Sequence, residues 1–310
     1  MKLLITGAWS CTQEQIEKIR DLGHEIDFLQ QEKDKVKEPE KYDAVICNGL
    51  FLYHDIKTFV NLRYIQLTSA GFDRVPIDYI KKHDIKIYNA RGVYSIPMAE
   101  FAIGGVLQIY KKSKFFYKNQ TRKKWDKNRE IIELYNKTVC IIGCGSTGEE
   151  CAKRFAAFGC RVLGLDLVIK SNEHFEKIYP ITQIDKILSI SDIVLLTLPL
   201  TDQTRHLFNK DRFEICKTGM VLVNIARGGI VDTDALCDAL DSKLSGAVID
   251  VFEEEPLNEE ASLWEYDNAI ITPHNSFVSE CNRDRLFSVI YENLKNVTRK
   301  DNICNHLETS

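Results

Sequence analysis

The chain has 310 residues, 44% of them hydrophobic and 28% charged, with 16 Gly and 7 Pro. That length and balance predict two globular domains and exclude a disordered, collagen-like or coiled-coil protein. The net charge is −4, from 41 Lys and Arg against 45 Asp and Glu, which leaves no electrostatic footprint for nucleic acid.

Apolar runs such as Ile193–Leu196 are strand-length, so no membrane-spanning helix is expected. The first residues, MKLLITGAWS, read as a buried strand entering a turn, too short in apolar length for a secretory segment. A cytoplasmic protein is expected. Its ten cysteines include no Cys-x-x-Cys pair and no Cys/His cluster with zinc spacing, so reduced thiols and no metal site are expected. The basic residues Lys111, Lys112, Lys114, Arg122, Lys123 and Lys124 read as a solvated helix face and loop.

In chain order, Lys2–Thr6 reads as a strand, and Thr12–Leu22 as a helix with Ile16, Ile19 and Leu22 on one face and Gly23 as its stop. Ala44–Cys47, Tyr64–Leu67 and Ile85–Tyr88 read as further strands. This alternation predicts a parallel sheet with helices on both faces. Ser69-Ala70-Gly71-Phe72 follows directly on a strand end, where such sheets bind ligands. A longer helix is predicted from about Ile96, with Ser95 as its N-cap and Pro97 in its first turn. Gly104-Gly105 inside it predicts a close packing contact. Lys118–Glu133, which contains Trp125, reads as a loop or arm.

A second alternating series follows. Thr138–Ile142, Arg161–Leu165, Ile193–Leu198, Met220–Ile225, Ala247–Val251 and Ala269–Thr272 read as six strands, with a helix at Thr147–Phe158. Ser279–Val297 has helical spacing, and Arg299–Ser310 reads as a frayed tail.

Gly143-Cys144-Gly145-Ser146-Thr147-Gly148 matches Gly-x-Gly-x-x-Gly between a strand and a helix. In that setting Gly143 permits the tight turn, Gly145 lets backbone approach a pyrophosphate, and Gly148 lets the helix pack on the sheet. The helix start at Ser146 and Thr147 offers free amides and a positive dipole end. Asp166 lies 18 residues beyond Gly148, at the end of the next strand. A carboxylate there suits the ribose hydroxyls of NAD and repels the 2′-phosphate of NADP. Cys144 reads as a small filler of the loop, with an oxidation switch as the sharper alternative.

The strand Met220–Ile225 leads to Ala226-Arg227-Gly228-Gly229, which aims a permanently charged fork into the sheet's crevice. The next strand leads to Phe252-Glu253-Glu254-Glu255-Pro256, and the last to Pro273-His274. From these residues alone, His274 reads equally as a structural or a catalytic side chain.

The set of motifs resembles the D-isomer-specific 2-hydroxyacid dehydrogenase family. The likeness rests on Gly143–Gly148 with Asp166, Leu198-Pro199-Leu200-Thr201, Asn224–Gly229, Ile249–Pro256 and Thr272-Pro273-His274. Ser69–Asp73 and Pro97-Met98-Ala99-Glu100 also fit, so the resemblance runs along nearly the whole chain.

It implies an α/β fold of two doubly wound parallel-sheet domains, Rossmann-like and flavodoxin-like, with the active site in the cleft between them. Residues 1–97 with 279–310 would form a discontinuous substrate domain, and 98–278 the NAD-binding domain. Arg227, Glu255 and His274 would be the catalytic set. Arg227 would bind the substrate and polarise its carbonyl, His274 would donate a proton as hydride arrives, and Glu255 would fix the imidazole's tautomer and raise its pKa. Leu198, Pro199, Ile225, Ala226 and Asp250 would line the cofactor, with Asp250 on the nicotinamide carboxamide. Ser69, Ala70 and Gly71 would bind the substrate carboxylate. Members of the family commonly pair as dimers, so a homodimer is expected.

The implied reaction interconverts a small 2-keto acid and a D-2-hydroxy acid. Phosphoglycerate-type members carry arginines after the strand matching Ala44–Cys47, whereas Asn48-Gly49-Leu50-Phe51 has no cation. The family's regulatory domain is also not expected after the last helix. Leu50 and Phe51 would line the substrate site or belong to the core. Asn275-Ser276-Phe277 departs from the Gly-rich segment common in the family. Two other readings stay open, an NAD(H)-sensing, corepressor-like protein and a phosphoglycerate- or hydroxypyruvate-type member. A related phosphonate or formate dehydrogenase would need different residues around the carboxylate loop.

Overall fold

The computed structural model describes residues 1–299 and divides into two compact units. One is Met1–Tyr94 with the C-terminal stretch from Ser279, and the other is Ser95–Val278. Ser95–Pro97, expected at the end of the first domain, therefore open the second unit. The expected tail beyond Arg299 lies outside the described residues.

The first unit holds a five-stranded parallel sheet made of β1 (Lys2–Thr6), β2 (Glu25–Leu29), β3 (Ala44–Cys47), β4 (Tyr64–Leu67) and β5 (Lys86–Tyr88), in the order β2-β1-β3-β4-β5. Side chains alternate between the two faces of the sheet. Leu3, Ile5, Ile46 and Tyr64 pack with Ile16 and Ile19 and with Leu286, Ile290 and Leu294 of the helix Asn282–Arg299. Leu4, Val45, Cys47 and Ile65 pack on the other face with Phe59 and Ile80. Burial on both faces explains why β1, β3 and β4 read as nearly continuous apolar runs. The sequence did not show β2, because Glu25-Ile26-Asp27-Phe28-Leu29 is an edge strand with charged, part-exposed positions.

The helix Gln13–Arg20 starts at a capping box. The Gln15 amide donates to Thr12 Oγ1, and the Thr12 amide donates to Gln15 Oε1. Gly23, at φ +84°, follows its end.

The second unit holds a seven-stranded parallel sheet. Its strands are β6 (Thr138–Ile142), β7 (Arg161–Asp166), β8 (Lys177–Pro180), β9 (Ile193–Leu196), β10 (Val221–Asn224), β11 (Gly246–Ile249) and β12 (Ala269–Ile271). The order β12-β11-β10-β9-β6-β7-β8 makes β8 the strand beyond the six expected. It is a short edge strand ending in Pro180, with little periodicity to betray it.

The helix Ser95–Tyr110 begins at Ser95 itself, whose hydroxyl meets Thr147 Oγ1 at 3.3 Å instead of serving as the cap. A Cβ on Gly105 would lie 2.6 Å from Val248 Cγ1 of β11, which is the close contact expected, while Gly104 faces open space. Part of the expected loop after Lys118 is helical, since Ser113–Thr121 forms a separate helix after a left-handed break at Lys112. Lys114 donates to the Ala269 carbonyl at 2.5 Å, and Lys118 pairs with Asp267, so this helix is fastened beside β12. Among the described residues, no helix is long and apolar enough to cross a membrane, and no group of three His, Cys, Asp or Glu side chains is placed to hold a metal.

His24 is 4% exposed, and burial, together with the Met1 ammonium 3.3 Å from its Nδ1, holds its pKa down to about 4. An unfolded histidine titrates near 6.5, so between those pH values the unfolded chain binds the extra proton. Stability present above about pH 6.5 is thus lost as pH falls towards 4, by on the order of 3 kcal/mol at most from this group. Urea unfolding at several pH values will show a steeper acid loss in the parent chain than in His24→Phe.

Candidate active site

Six loops leave the carboxyl edge of the second unit's sheet from one register row. Ile271, Ile249, Asn224, Leu196, Ile142 and Leu165 are paired in turn across neighbouring strands. Each sequence-predicted site residue of this unit follows that row within a few positions. The β6 and β9 ends meet where the chain order reverses, the point at which open α/β sheets bind ligands.

On the β6 side, Gly143 has φ +96°, and a Cβ there would lie 2.8 Å from the Thr197 carbonyl carbon. A Cβ on Gly148 would lie 2.2 Å from the Gly143 carbonyl oxygen. Both glycines are therefore demanded by backbone contact. Thr197 Oγ1 donates to the Gly143 carbonyl at 2.7 Å and ties the loop to the end of β9. The helix Ser146–Ala157 opens at Gly145 without a side-chain cap, leaving its first amides for an anion. Asp166 closes the other side, accepting from the Cys144 amide at 2.6 Å and the Val168 amide at 3.1 Å. The residues present fit a dinucleotide's phosphates and ribose.

On the β10–β12 side, Asn224 orders the turn that presents Arg227. Its Oδ1 accepts from the Ala226 amide at 3.1 Å, and its Nδ2 donates to the Arg227 carbonyl at 3.0 Å. The Arg227 guanidinium donates back to the Ala226 carbonyl at 2.8 Å. A Cβ on Gly228 would fall 1.8 Å from the Phe252 carbonyl carbon, so the loops after β10 and β11 cross backbone on backbone. Glu255 Oε1 accepts from the Phe252 amide at 3.1 Å, and its Oε2 meets His274 Nδ1 at 2.9 Å. His274 sits at φ +50° and stacks edge-on against Phe277. A side chain bonded through Nδ1 keeps Nε2 for another partner.

Asp250 is fully buried. It accepts from the Thr272 hydroxyl at 2.7 Å, the Asn275 amide at 2.8 Å and the Ser276 amide at 3.0 Å. It was expected on a nicotinamide carboxamide. Its carboxylate also orders the His274 loop through these bonds. Ile225, at 2% exposed, and Leu198, at 9%, are core side chains that offer a cofactor only their backbone, while Ala226 is buried and Pro199 exposed.

In the first unit, the β4 end continues into Ser69, Ala70 and Gly71. Ser69 Oγ donates to the Gly71 carbonyl at 3.1 Å, and Asn89 Nδ2 donates to the Ala70 carbonyl at 2.7 Å. These bonds engage the loop's carbonyls and leave the Ala70 and Gly71 amides as its donors.

The family model described as "D-isomer specific 2-hydroxyacid dehydrogenase, NAD binding domain" matches residues 103–276. The chain belongs to the D-isomer specific 2-hydroxyacid dehydrogenase family. It is 35% identical over 243 residues to a glyoxylate reductase of Thermofilum pendens, a match covering 76% of this chain and 71% of that protein. It is 33% identical over 281 residues to a D-3-phosphoglycerate dehydrogenase of Archaeoglobus fulgidus, covering 88% of this chain and 53% of that one. The chain thus spans about half the length of the phosphoglycerate relatives it matches. The D-lactate dehydrogenase of Aquifex aeolicus, solved with NAD and lactic acid, shares its fold with a TM-score of 0.78 at 29% identity, covering 96% of each chain.

Of the two readings of Leu50, lining the substrate site or belonging to the core, the structure fits the second, since Leu50 is fully buried in the first unit's core, and the neighbouring Phe51 packs edge-on against Phe59. Burial, with Asp166 close by, pushes the Cys144 thiol up to about 12, so it is held as a thiol and not as the reactive thiolate of an oxidation switch. Thr197, which sequence reasoning placed only in a strand, acts through a side-chain bond to the Gly143 carbonyl that leaves no motif.

Asp250→Asn should turn one amide hydrogen towards an amide donor. It is expected to cost about 1–3 kcal/mol in urea unfolding, the scale of a buried group left unsatisfied, whereas a surface Asp→Asn change should cost little.

Proposed function

We propose that this protein is an NAD-dependent oxidoreductase interconverting a small 2-keto acid and its D-2-hydroxy acid. The observation that carries the reading is the Glu255–His274 pair at 2.9 Å, one strand from Arg227 on a single sheet edge. In this reading, the unit Ser95–Val278 holds the cofactor, and the unit that contains Met1–Tyr94 holds the substrate carboxylate through the amides around Ala70 and Gly71.

Bound NADH supplies the hydride. The guanidinium of Arg227 binds the substrate's carboxylate and keto oxygen and draws charge from the carbonyl. His274 gives the proton on Nε2 to that oxygen as the carbon becomes tetrahedral. Glu255 holds Nδ1 as the donor nitrogen, so the ring presents the required tautomer and orientation. Asp166 receives the ribose hydroxyls beside the amides it already organises, and its charge opposes a 2′-phosphate. NADH is therefore expected to outperform NADPH.

Several relatives at comparable identity are named glyoxylate or hydroxypyruvate reductases. With no cation on Asn48–Phe51, a small 2-keto acid with an uncharged side chain is the proposed substrate. A cytoplasmic homodimer completes the reading. The nine described cysteines are free, as in a reducing compartment, and Tyr117 and Trp125 expose 70% and 94% of their surface around the helix Ser113–Thr121. Two lysines of the basic cluster serve the fold, since Lys111 donates to the Ile132 carbonyl and Lys114 to the Ala269 carbonyl.

NADH oxidation will be followed with glyoxylate, hydroxypyruvate, pyruvate and branched or aromatic 2-keto acids. His274→Ala is expected to lower kcat by about 10²–10⁴, the range for a lost general acid, with NADH binding retained. Turnover that survives unchanged in His274→Ala would remove His274 from the chemistry. Silence of the parent chain on every keto acid, with NADH still bound, would favour a sensing role.

A further inference from the structure

The first unit carries a second anion-binding arrangement, and the chain fills it with its own carboxylate. The order β2-β1-β3-β4-β5 reverses between β1 and β3, the position where open α/β sheets bind ligands. Three donors converge there, namely the Thr6 hydroxyl at the end of β1 and the consecutive amides of Asn48 and Gly49 just after β3. All three reach Glu32. Thr6 Oγ1 and the Asn48 amide lie 2.8 and 2.7 Å from Oε1, and the Gly49 amide lies 2.7 Å from Oε2.

Successive amides with a hydroxyl form an anion nest of the kind that binds phosphate or carboxylate. The segment bearing Glu32 is held in turn by His54 Nε2, 2.8 Å from the Glu32 carbonyl oxygen. Thr6 is almost fully buried, whereas Glu32 and Asn48 are half-buried, so solvent reaches the nest from the loop side.

The nest stands one strand away from the Ser69–Gly71 loop. β3 pairs with β4, and the Thr68 amide bonds the Cys47 carbonyl at 2.9 Å immediately before both loops diverge. The stem of Arg74 passes close to Gly49, yet Arg74 forms no ion pair with Glu32 among the described residues. The hydrogen bonds that the carboxylate accepts in the nest thus come from neutral donors.

We infer that Glu32 is a specificity-determining residue that occupies this second anion subsite and rejects substrates carrying a second negative group, so that the enzyme selects monoanionic 2-keto acids. The inference rests on the function proposed above. A phosphoryl or second carboxylate group arriving beside Ser69–Gly71 would find the nest's donors engaged and a like charge in place, and two anions sharing one set of neutral donors disfavour each other. Without Glu32, the same hydroxyl and amides, with Arg74 at the rim, would suit such a group.

The test compares the parent chain with Glu32→Gln, which keeps an acceptor and removes the charge, and Glu32→Ala, which empties the nest. Values of kcat/KM would be measured for phosphohydroxypyruvate and hydroxypyruvate with NADH, and thermal unfolding would be followed with and without inorganic phosphate. The ratio of phosphorylated to unphosphorylated kcat/KM is expected to rise by about tenfold or more in both variants, the scale of one charge-assisted contact. Phosphate is expected to raise the Tm of Glu32→Ala and not of the parent.

A residue that merely fastens the loop after β2 would lower both kcat/KM values and leave their ratio alone. That result, or a parent enzyme that uses both substrates equally, would overturn the inference. If the parent reduces neither these two substrates nor any other 2-keto acid of the panel above, the proposed function fails, and phosphate protection of Glu32→Ala still decides whether Glu32 fills an anion nest. Should Glu32→Ala not fold, the kcat/KM ratio of Glu32→Gln decides the inference, and an unchanged ratio overturns it.

Discussion

A buried carboxylate holds the carboxyl edge of the second unit's sheet together. Asp250 is fully enclosed and, among the described residues, its carboxylate is held by hydrogen bonds from the Thr272 hydroxyl and the Asn275 and Ser276 amides. Its own amide bonds the Asn224 carbonyl, and its carbonyl accepts from the His274 amide at 2.8 Å. One residue thus couples the ends of β10, β11 and β12. A charge taken out of water is tolerable only where each such donor is in place, so the arrangement is all-or-none and fixes the backbone that carries His274.

The same device recurs at two other strand ends. Asp166 accepts loop amides beside the phosphate turn, and Glu32 accepts loop amides beyond β1 and β3. At each place an internal carboxylate organises amides that a parallel sheet leaves unpaired at its carboxyl edge. The three differ in exposure, and exposure divides their roles. Asp250, wholly buried, positions its neighbours. Asp166 and Glu32, partly open, can also act on what binds beside them.

The glycines complete the edge by permitting backbone to meet backbone. Gly143 against Thr197, Gly148 against Gly143 and Gly228 against Phe252 each leave no room for a Cβ. Local strand and helix propensities set the six loops on one row. These contacts then bring the loops close enough for a cofactor and a substrate to be held together.

Sequence by itself determined the elements whose period is strong and the residues whose chemistry is local. The apolar runs of β1, β3, β4, β6 and β9 were legible because both faces of each sheet are covered. The glycine turn with Asp166, and the family likeness running through Arg227, Glu255 and His274, were legible because motif and spacing state them directly. The edge strands β2 and β8 were not legible, since edge positions mix charged and apolar residues without a clean period. Only tertiary structure decided that Leu50 is core, that Asp250 ties down the His274 loop, and that Glu32 reaches the ends of β1 and β3. Those outcomes depend on which donors and apolar surfaces distant segments bring to one place, and no local pattern of side chains records that.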